Sequence, residues 1–460
     1  MPADAVRPDP VAIALNRFGL GARADEAPPG EPRRWLLQQL QQPPAAVRAP
    51  AFGTEALTQA LLEQQRLLRD AADPAAKMAQ RQALNQQARA AYQQDVAARV
   101  DRALASPAPW LERWVHFWAN HFALSCEKPE VRMLAGAFED EAIRPHVLGR
   151  FEDMLLAAET HGAMLRYLDA ASSVGPNSPA MRKSARPRGL NENLARETLE
   201  LHTLGVRTGY SQADVTELAR AMTGWGVPGL QPARGEQALG LGTVYRPLLH
   251  EPGERTVLGR RYADAGPDQA RQVLHDLSTT PATAQHLCTK IARHFVADDP
   301  PPALVEHLTG TWLRSRGDLP TVYRALVEHE AAWSAPARKF KTPWEWLVSS
   351  ARALGWRQWV DKPPAFQLLN QLGQPVWQPG SPAGYDDRAA AWAAPDALVR
   401  RVEAAQQLAA RSGAGEDARR VAPLVLPGGP GEATAQALRR AESPAQALAL
   451  MIVSPEFLRR

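Results

Sequence analysis

Apolar residues in this chain recur at three- and four-residue spacing over most of its 460 residues, and the strict alternation of a half-buried strand is scarce. Helices must therefore do the burying. The pattern predicts an all-α fold: one large multi-helix domain, 1–460, with a protruding two-helix arm and at most a small β-hairpin excursion. Residues 1–53 read as N-terminal helices. Residues 54–105 read as the exposed arm, being rich in Gln, Ala and Arg. Their thin apolar stripe (Leu61, Leu62, Leu67, Leu68, Met78, Leu84) is broken near Asp73-Pro74. Residues 106–228 read as core helices, with burial expected around Trp114, Leu165, Leu201 and Leu218. Residues 229–265 hold short β-like pieces near 243–245 and 256–258, the hairpin excursion. Residues 266–460 return to helices and loops. Within them, 374–387 (QPVWQPGSPAGYDD) is too rich in Pro and Gly for regular structure, and 413–434 is expected as a mobile loop.

Composition narrows the function classes. A hydrophobic fraction of 45% and a charged fraction of 22% are those of a chain that buries a sizeable core. The net charge of +4 is small, and the basic residues are spread along the chain, so nucleic acid binding is not indicated. Cys126 and Cys288 lack metal-ligand spacing and cannot form a disulfide framework. No apolar run reaches the length of a membrane span. Asp4 and Asp9 stand where a signal peptide is basic or apolar, so a cytoplasmic location is expected.

The densest chemistry lies in NENLARETLELHTLGVRTGY, residues 191–210. Polar groups appear on nearly every side of this expected helix, and buried charges need partners or a job. The candidate pocket comprises His121, Asp169, Asn191, Asn193, Arg196, Glu197, Glu200 and His202. Glu197 and Glu200 share a helical face, while His202 points about 160° away from Glu200. One helix therefore cannot bring all three to one ion. A two-carboxylate metal site would need His116 or His121 from another helix, and no HExxH pattern is present. The competing reading is a buried network, with Arg196 paired to Glu200 or Asp169 and Asn193 bonded to Glu197. On either reading Arg196 is expected to be buried, with Glu197 facing the same interior. No cofactor follows from the sequence.

Three neighbouring segments add to this. In WLERWVHFWANHFALS, Trp114, Phe117, Trp118 and His121 fall on one helical face, and His116 and Asn120 on another beside Arg113. The loop 172–189 carries Arg182, Lys183, Arg186 and Arg188 ahead of a helix N-terminus, where an anion is favoured. Ser211 followed by Asp214 reads as a capping box. There is no GxSxG elbow, P-loop or dinucleotide fingerprint. Two function classes stand. One is an enzyme using a carboxylate and histidine pocket, by acid–base or metal-assisted hydrolysis. The other is a non-catalytic helical scaffold. A cavity open to solvent favours the first, and a sealed core with every polar group paired favours the second.

The ordered motifs LNRFGLGA, HFWANHFALS, AMLRYLDAASS, NENLARETLELHTLGVRTGYSQADVTELARAMTGW, LCTKIARHFVAD and SPEFLRR resemble the bacterial domain-of-unknown-function family 1800 over essentially the whole chain. The resemblance implies one large, mainly helical domain with no established activity. Members often carry export signals, which sets a periplasmic location beside the cytoplasmic one. They are often encoded beside a second exported family similar to sulfatases, which implies a sulfatase-like partner. The family's HPAMLLYLDN wording stands here as HGAMLRYLDA, with Gly162 in place of a proline and Ala170 in place of an asparagine.

Overall fold

Forty prolines sit awkwardly with a helical chain until their places are seen. Pro32, Pro74, Pro109, Pro129, Pro267, Pro281, Pro302, Pro343, Pro395 and Pro444 each open a helix. There the missing N–H costs no helical hydrogen bond and the fixed φ is already helical. Side-chain caps complete several of these starts. Asp73 accepts from the Ala76 amide at 2.8 Å, and Ser211 with Asp214 forms the expected capping box. The computed structural model describes residues 9–42, 53–183, 189–334, 339–359, 363–412, 417–426 and 428–460. The fold is 61% helical and 4% strand, as the apolar spacing requires.

Two hydrophobic clusters organise the helices. The first is built on the helix Pro109–His121, whose Trp110, Trp114 and Trp118 are fully buried. Trp114 stacks on Tyr323 with ring centroids 3.7 Å apart and meets Phe295 at 4.3 Å, and Phe18 and Trp312 belong to the same cluster. Leu165 and Leu218 belong to this cluster, whereas Leu201 is half-buried and outside it. The second cluster gathers Trp346, Leu347, Leu369, Leu408 and Ile452 from the C-terminal helices. Sequence reading placed the core in residues 106–228. The second cluster adds to it, because the C-terminal helices bury their apolar faces against one another and against residues 92–104.

The arm is two helices, Thr54–Asp70 and Pro74–Ala105, separated at Asp73. Its far end is exposed, including Leu67 and Met78. Its base is not: Ala88, Tyr92, Val96, Val100 and Leu104 recur at helical spacing and are buried in the two clusters. The excursion is a pair of small antiparallel sheets. One has Thr243–Tyr245 between Trp225–Gly226 and Gln237–Gly240, and the other pairs Arg255–Val257 with Arg260–Tyr262. The turn before Thr243 docks on the helix Gly162–Tyr167. There the Gly162 amide donates to the Leu241 carbonyl at 2.8 Å, and a Cβ at 162 would lie 2.6 Å from the Gly242 oxygen. A proline has no such N–H to give.

Residues 413–434 are not one loop. The helix Ala418–Val425 crosses them because Val421, Ala422 and Val425 bury one face in the second cluster, and residues 413–416 and 427 lie outside the described ones. Cys126 and Cys288 are free and buried. Among the described residues no helix is long and apolar enough to cross a membrane.

The arm's division into buried base and exposed tip is testable by chemical denaturation. Leu104→Ala should cost about 2–5 kcal/mol, as for a core leucine. Met78→Ser should change stability by no more than about 0.5 kcal/mol. Equal losses would show that the tip also packs.

Candidate functional site

The eight residues singled out by sequence do not converge. Asp169 lies at the surface with a positive φ of 58° and pairs with Lys128 at 2.7 Å. Asn193 is exposed, and Asn191, Glu197 and Glu200 are half-buried. Arg196 is not buried: 39% of its side chain is exposed, and it bonds Glu192 at 3.2 Å and Gln212 at 2.9 Å. An ion pair this exposed is worth only about 0–1 kcal/mol. Its partner is Glu192 because the helix Asn193–Glu197 starts there, which places Glu192 one turn back toward Arg196. Glu200 instead accepts the Tyr210 hydroxyl at 3.0 Å. Burial pushes the Glu197 carboxyl up. Arg186 and Arg188 of the basic loop lie outside the described residues. Among the described residues no three His, Cys, Asp or Glu side chains gather as a metal site requires.

The helix changes character at Thr198–Thr203, where it widens into a π-turn closed by Leu204 N to Leu199 O at 3.0 Å. Such turns re-aim side chains at the cost of helical regularity. Here the turn sends His202 inward. Its Nδ1 meets Glu159 Oε1 at 2.6 Å, and both groups are fully buried. The His202 carbonyl accepts from His121 Nε2 at 3.2 Å. That bond puts the His121 proton on Nε2 and leaves Nδ1 to accept from Lys290 Nζ at 3.0 Å.

His121 and Lys290 open onto a cavity of about 480 Å³ at the seam between the two clusters. Three walls are helical: the polar face of Pro109–His121, the start of Pro343–Ala353, and the helix Pro281–Phe295. The fourth is the Pro- and Gly-rich segment 374–388, which has no helix or strand. Asn120 zips that segment down. Its Nδ2 donates to the Tyr385 carbonyl at 2.9 Å and its Oδ1 accepts the Tyr385 amide at 2.8 Å. Gly384 makes this approach possible, since a Cβ there would lie 2.3 Å from the Asn120 carbonyl oxygen.

Pro281–Phe295 buries Leu287, Cys288, Ile291 and Phe295 on one side and turns Lys290, Arg293 and His294 to the cavity. His294 Nδ1 donates to Asp387 Oδ2 at 2.8 Å, and Nε2 lies 3.5 Å from Arg113 Nη1. Burial lowers the pKa of His294 despite Asp387, so the ring is neutral with Nε2 unprotonated. Burial alone would raise Asp387, but His294, Lys339 and Arg460 outweigh it and hold the carboxyl at about 2. Burial brings Lys290 down to about 8. Arg113 pairs with Glu345, which Arg460 also meets at 2.8 Å. Against the seam, His116 Nδ1 accepts the Trp344 indole N–H at 3.0 Å. Arg99 lies over Trp344 at 4.3 Å and bonds Glu139 at 2.7 Å. Glu112 takes both Arg144 Nη groups at 2.7 and 2.8 Å. A buried polar network therefore exists, but it is built mainly on these elements, and the 191–210 segment joins it through His202 rather than through Arg196.

Of the eight, His121 alone lines the cavity. Lys290, His294, Trp344, Glu345 and Asp387 were missed. Lys290 and His294 stand one turn apart on an amphipathic helix, which was a visible signal. The pairing with Asp387, 93 positions away, was not visible.

The buried histidines set a pH dependence. Burial lowers His116 and His286 to about 4, whereas in the unfolded chain they titrate at about 6.5. Their contribution is full above the unfolded value and is lost as protons bind the unfolded chain preferentially. Stability should therefore fall as the pH drops from about 6.5 toward 4, on the order of 3 kcal/mol from His116. Urea denaturation above and below that window checks it, and His116→Gln should flatten the slope. A slope of opposite sign would mean that these rings are charged in the fold.

The family model described as Protein of unknown function (DUF1800) matches residues 13–459. No curated protein and no solved structure matches the chain. The cavity and both hydrophobic clusters lie within the matched residues, and the chain belongs to the DUF1800 family over essentially its whole length.

Proposed function

We propose that this chain is an enzyme performing acid–base chemistry on a small molecule in the seam cavity. His294 is the general base, Asp387 orients its ring, and Lys290 is the general acid. Arg113, on Glu345, places positive charge beside the base. One observation carries the reading: a neutral imidazole and an ammonium of lowered pKa stand one turn apart on one helix and face the same cavity. Groups whose environments push their pKa values apart can divide acid and base roles near neutral pH. A lysine also loses its proton more readily than an arginine would at the same place. The alternative, a scaffold that binds a sulfatase-like protein, calls for a sealed core. The open cavity and its base favour the enzyme.

The test is a panel of ester, amide, phosphate-ester and sulfate-ester substrates, together with deuterium exchange at carbon acids. Activity should show a basic limb near 8, set by Lys290. His294→Asn and Lys290→Gln should each lower kcat by about 10²–10⁴-fold with the thermal midpoint kept. Full activity in His294→Asn would remove the proposed base. A Lys290 amine that titrates at its ordinary value, read by NMR after ¹³C-methylation, would remove the proposed acid.

A further inference from the structure

We infer that the molecule this cavity takes is a small oxyanion with an apolar body, its negative group held by Lys290, Arg293 and Arg388. The inference rests on the enzyme reading of the same site and names its substrate class. It follows from a count of partners. The cavity's carboxylates are Glu345, Asp386 and Asp387. Glu345 is taken by Arg113 and Arg460, and Asp387 by His294 and Lys339. Asp386 is exposed and accepts the Arg388 amide at 2.9 Å. Among the described residues, none of Lys290, Arg293 and Arg388 has a carboxylate within salt-bridge distance. Lys290 meets His121, and Arg293 places its Nε on the Asp298 carbonyl at 3.1 Å.

Lys290, which feels Asp387 but is not salt-bridged to it, and Arg293 are partly desolvated cations with no carboxylate in contact, a cost that an anion joining them and the exposed Arg388 offsets. Arginine favours flat oxyanions through paired N–H donors, and lysine contributes a point charge. Part of the remaining lining is apolar or aromatic, with Phe117, Leu124, Val376 and Tyr385. An oxyanion alone would leave that surface wet, so the ligand carries an apolar part. Carboxylates and phosphates share this chemistry. A bound anion also favours the charged form of Lys290 and keeps the general acid protonated.

Isothermal titration calorimetry with benzoate and phenyl phosphate, against benzamide and benzylamine, tests this. The full chain is used near the pKa of Lys290, in two buffers of different ionisation enthalpy. Both anions, or one of them, should bind at least about tenfold tighter than the neutral and cationic probes, weaken with salt, and take up protons. The tighter anion tells carboxylate from phosphate. Lys290→Gln should abolish the proton uptake. Arg388→Gln, at an exposed position that folding does not need, should weaken the anions selectively. Equal binding of benzamide or benzylamine, or no binding of either anion, would overturn the inference. The assay needs no turnover, so the two readings fail separately. Anion binding with full activity in His294→Asn sinks the enzyme reading alone. Turnover that depends on His294 but shows no anion preference sinks this one alone.

Discussion

Glu345 holds the structure's two halves together. It sits at the start of the helix Pro343–Ala353, in the second hydrophobic cluster, where its carboxylate also accepts the Thr342 amide at 2.9 Å. Arg113 reaches it from the tryptophan helix of the first cluster, and Arg460 from the end of the described chain. Burial would raise this carboxyl, yet Arg460 and Arg113 hold it well below the usual carboxylate range. A buried ion pair seldom stabilises more than a well-packed apolar contact would, but losing one partner leaves an uncompensated charge. The seam is therefore strict about who faces whom. Apolar clusters alone tolerate sliding, and three charged groups on three separate elements do not.

The same strictness builds the cavity. With the tryptophan helix and Pro343–Ala353 fixed by Arg113 and Glu345, segment 374–388 closes the remaining side through Asn120 and Asp387. Lys339 supports Asp387 from behind, with its own ammonium bonded to Asp298 at 2.8 Å. His294 is thus oriented by a carboxylate that its own Nδ1–H, Lys339 and Arg460 hold ionised. The 191–210 segment contributes from one layer further in: the π-turn at Thr198–Thr203 brings the His202 carbonyl to His121 and so sets the tautomer that receives Lys290.

Much of the fold was legible because helix periodicity is local. The spacing of Trp114 and Trp118, the break at Asp73-Pro74 and the Ser211 capping box each depend on residues within a turn or two. The irregular character of 374–387 was equally plain from its Pro and Gly content. The site was less legible. Crowded charge at Asn191–Glu200 signalled burial, but much of that charge is solvated, since Arg196, Glu192 and Gln212 bond one another near the surface. The face that carries His116 and Asn120 beside Arg113 was legible from helical spacing, and it forms a cavity wall. What joins that wall to Lys290, His294, Glu345 and Asp387 is tertiary contact over long separations, which no periodicity records.

The central claim is that the seam holds a neutral, oriented base. Nitrogen-15 NMR of histidine-labelled protein near neutral pH reads it directly. The account predicts that His294 carries its proton on Nδ1, bonded to Asp387, with Nε2 unprotonated, and that His121 is the opposite tautomer. Assignment follows from loss of each signal in His294→Asn and His121→Asn. A doubly protonated His294, or a proton on its Nε2 alone, would contradict the account, because the cavity would then hold no base.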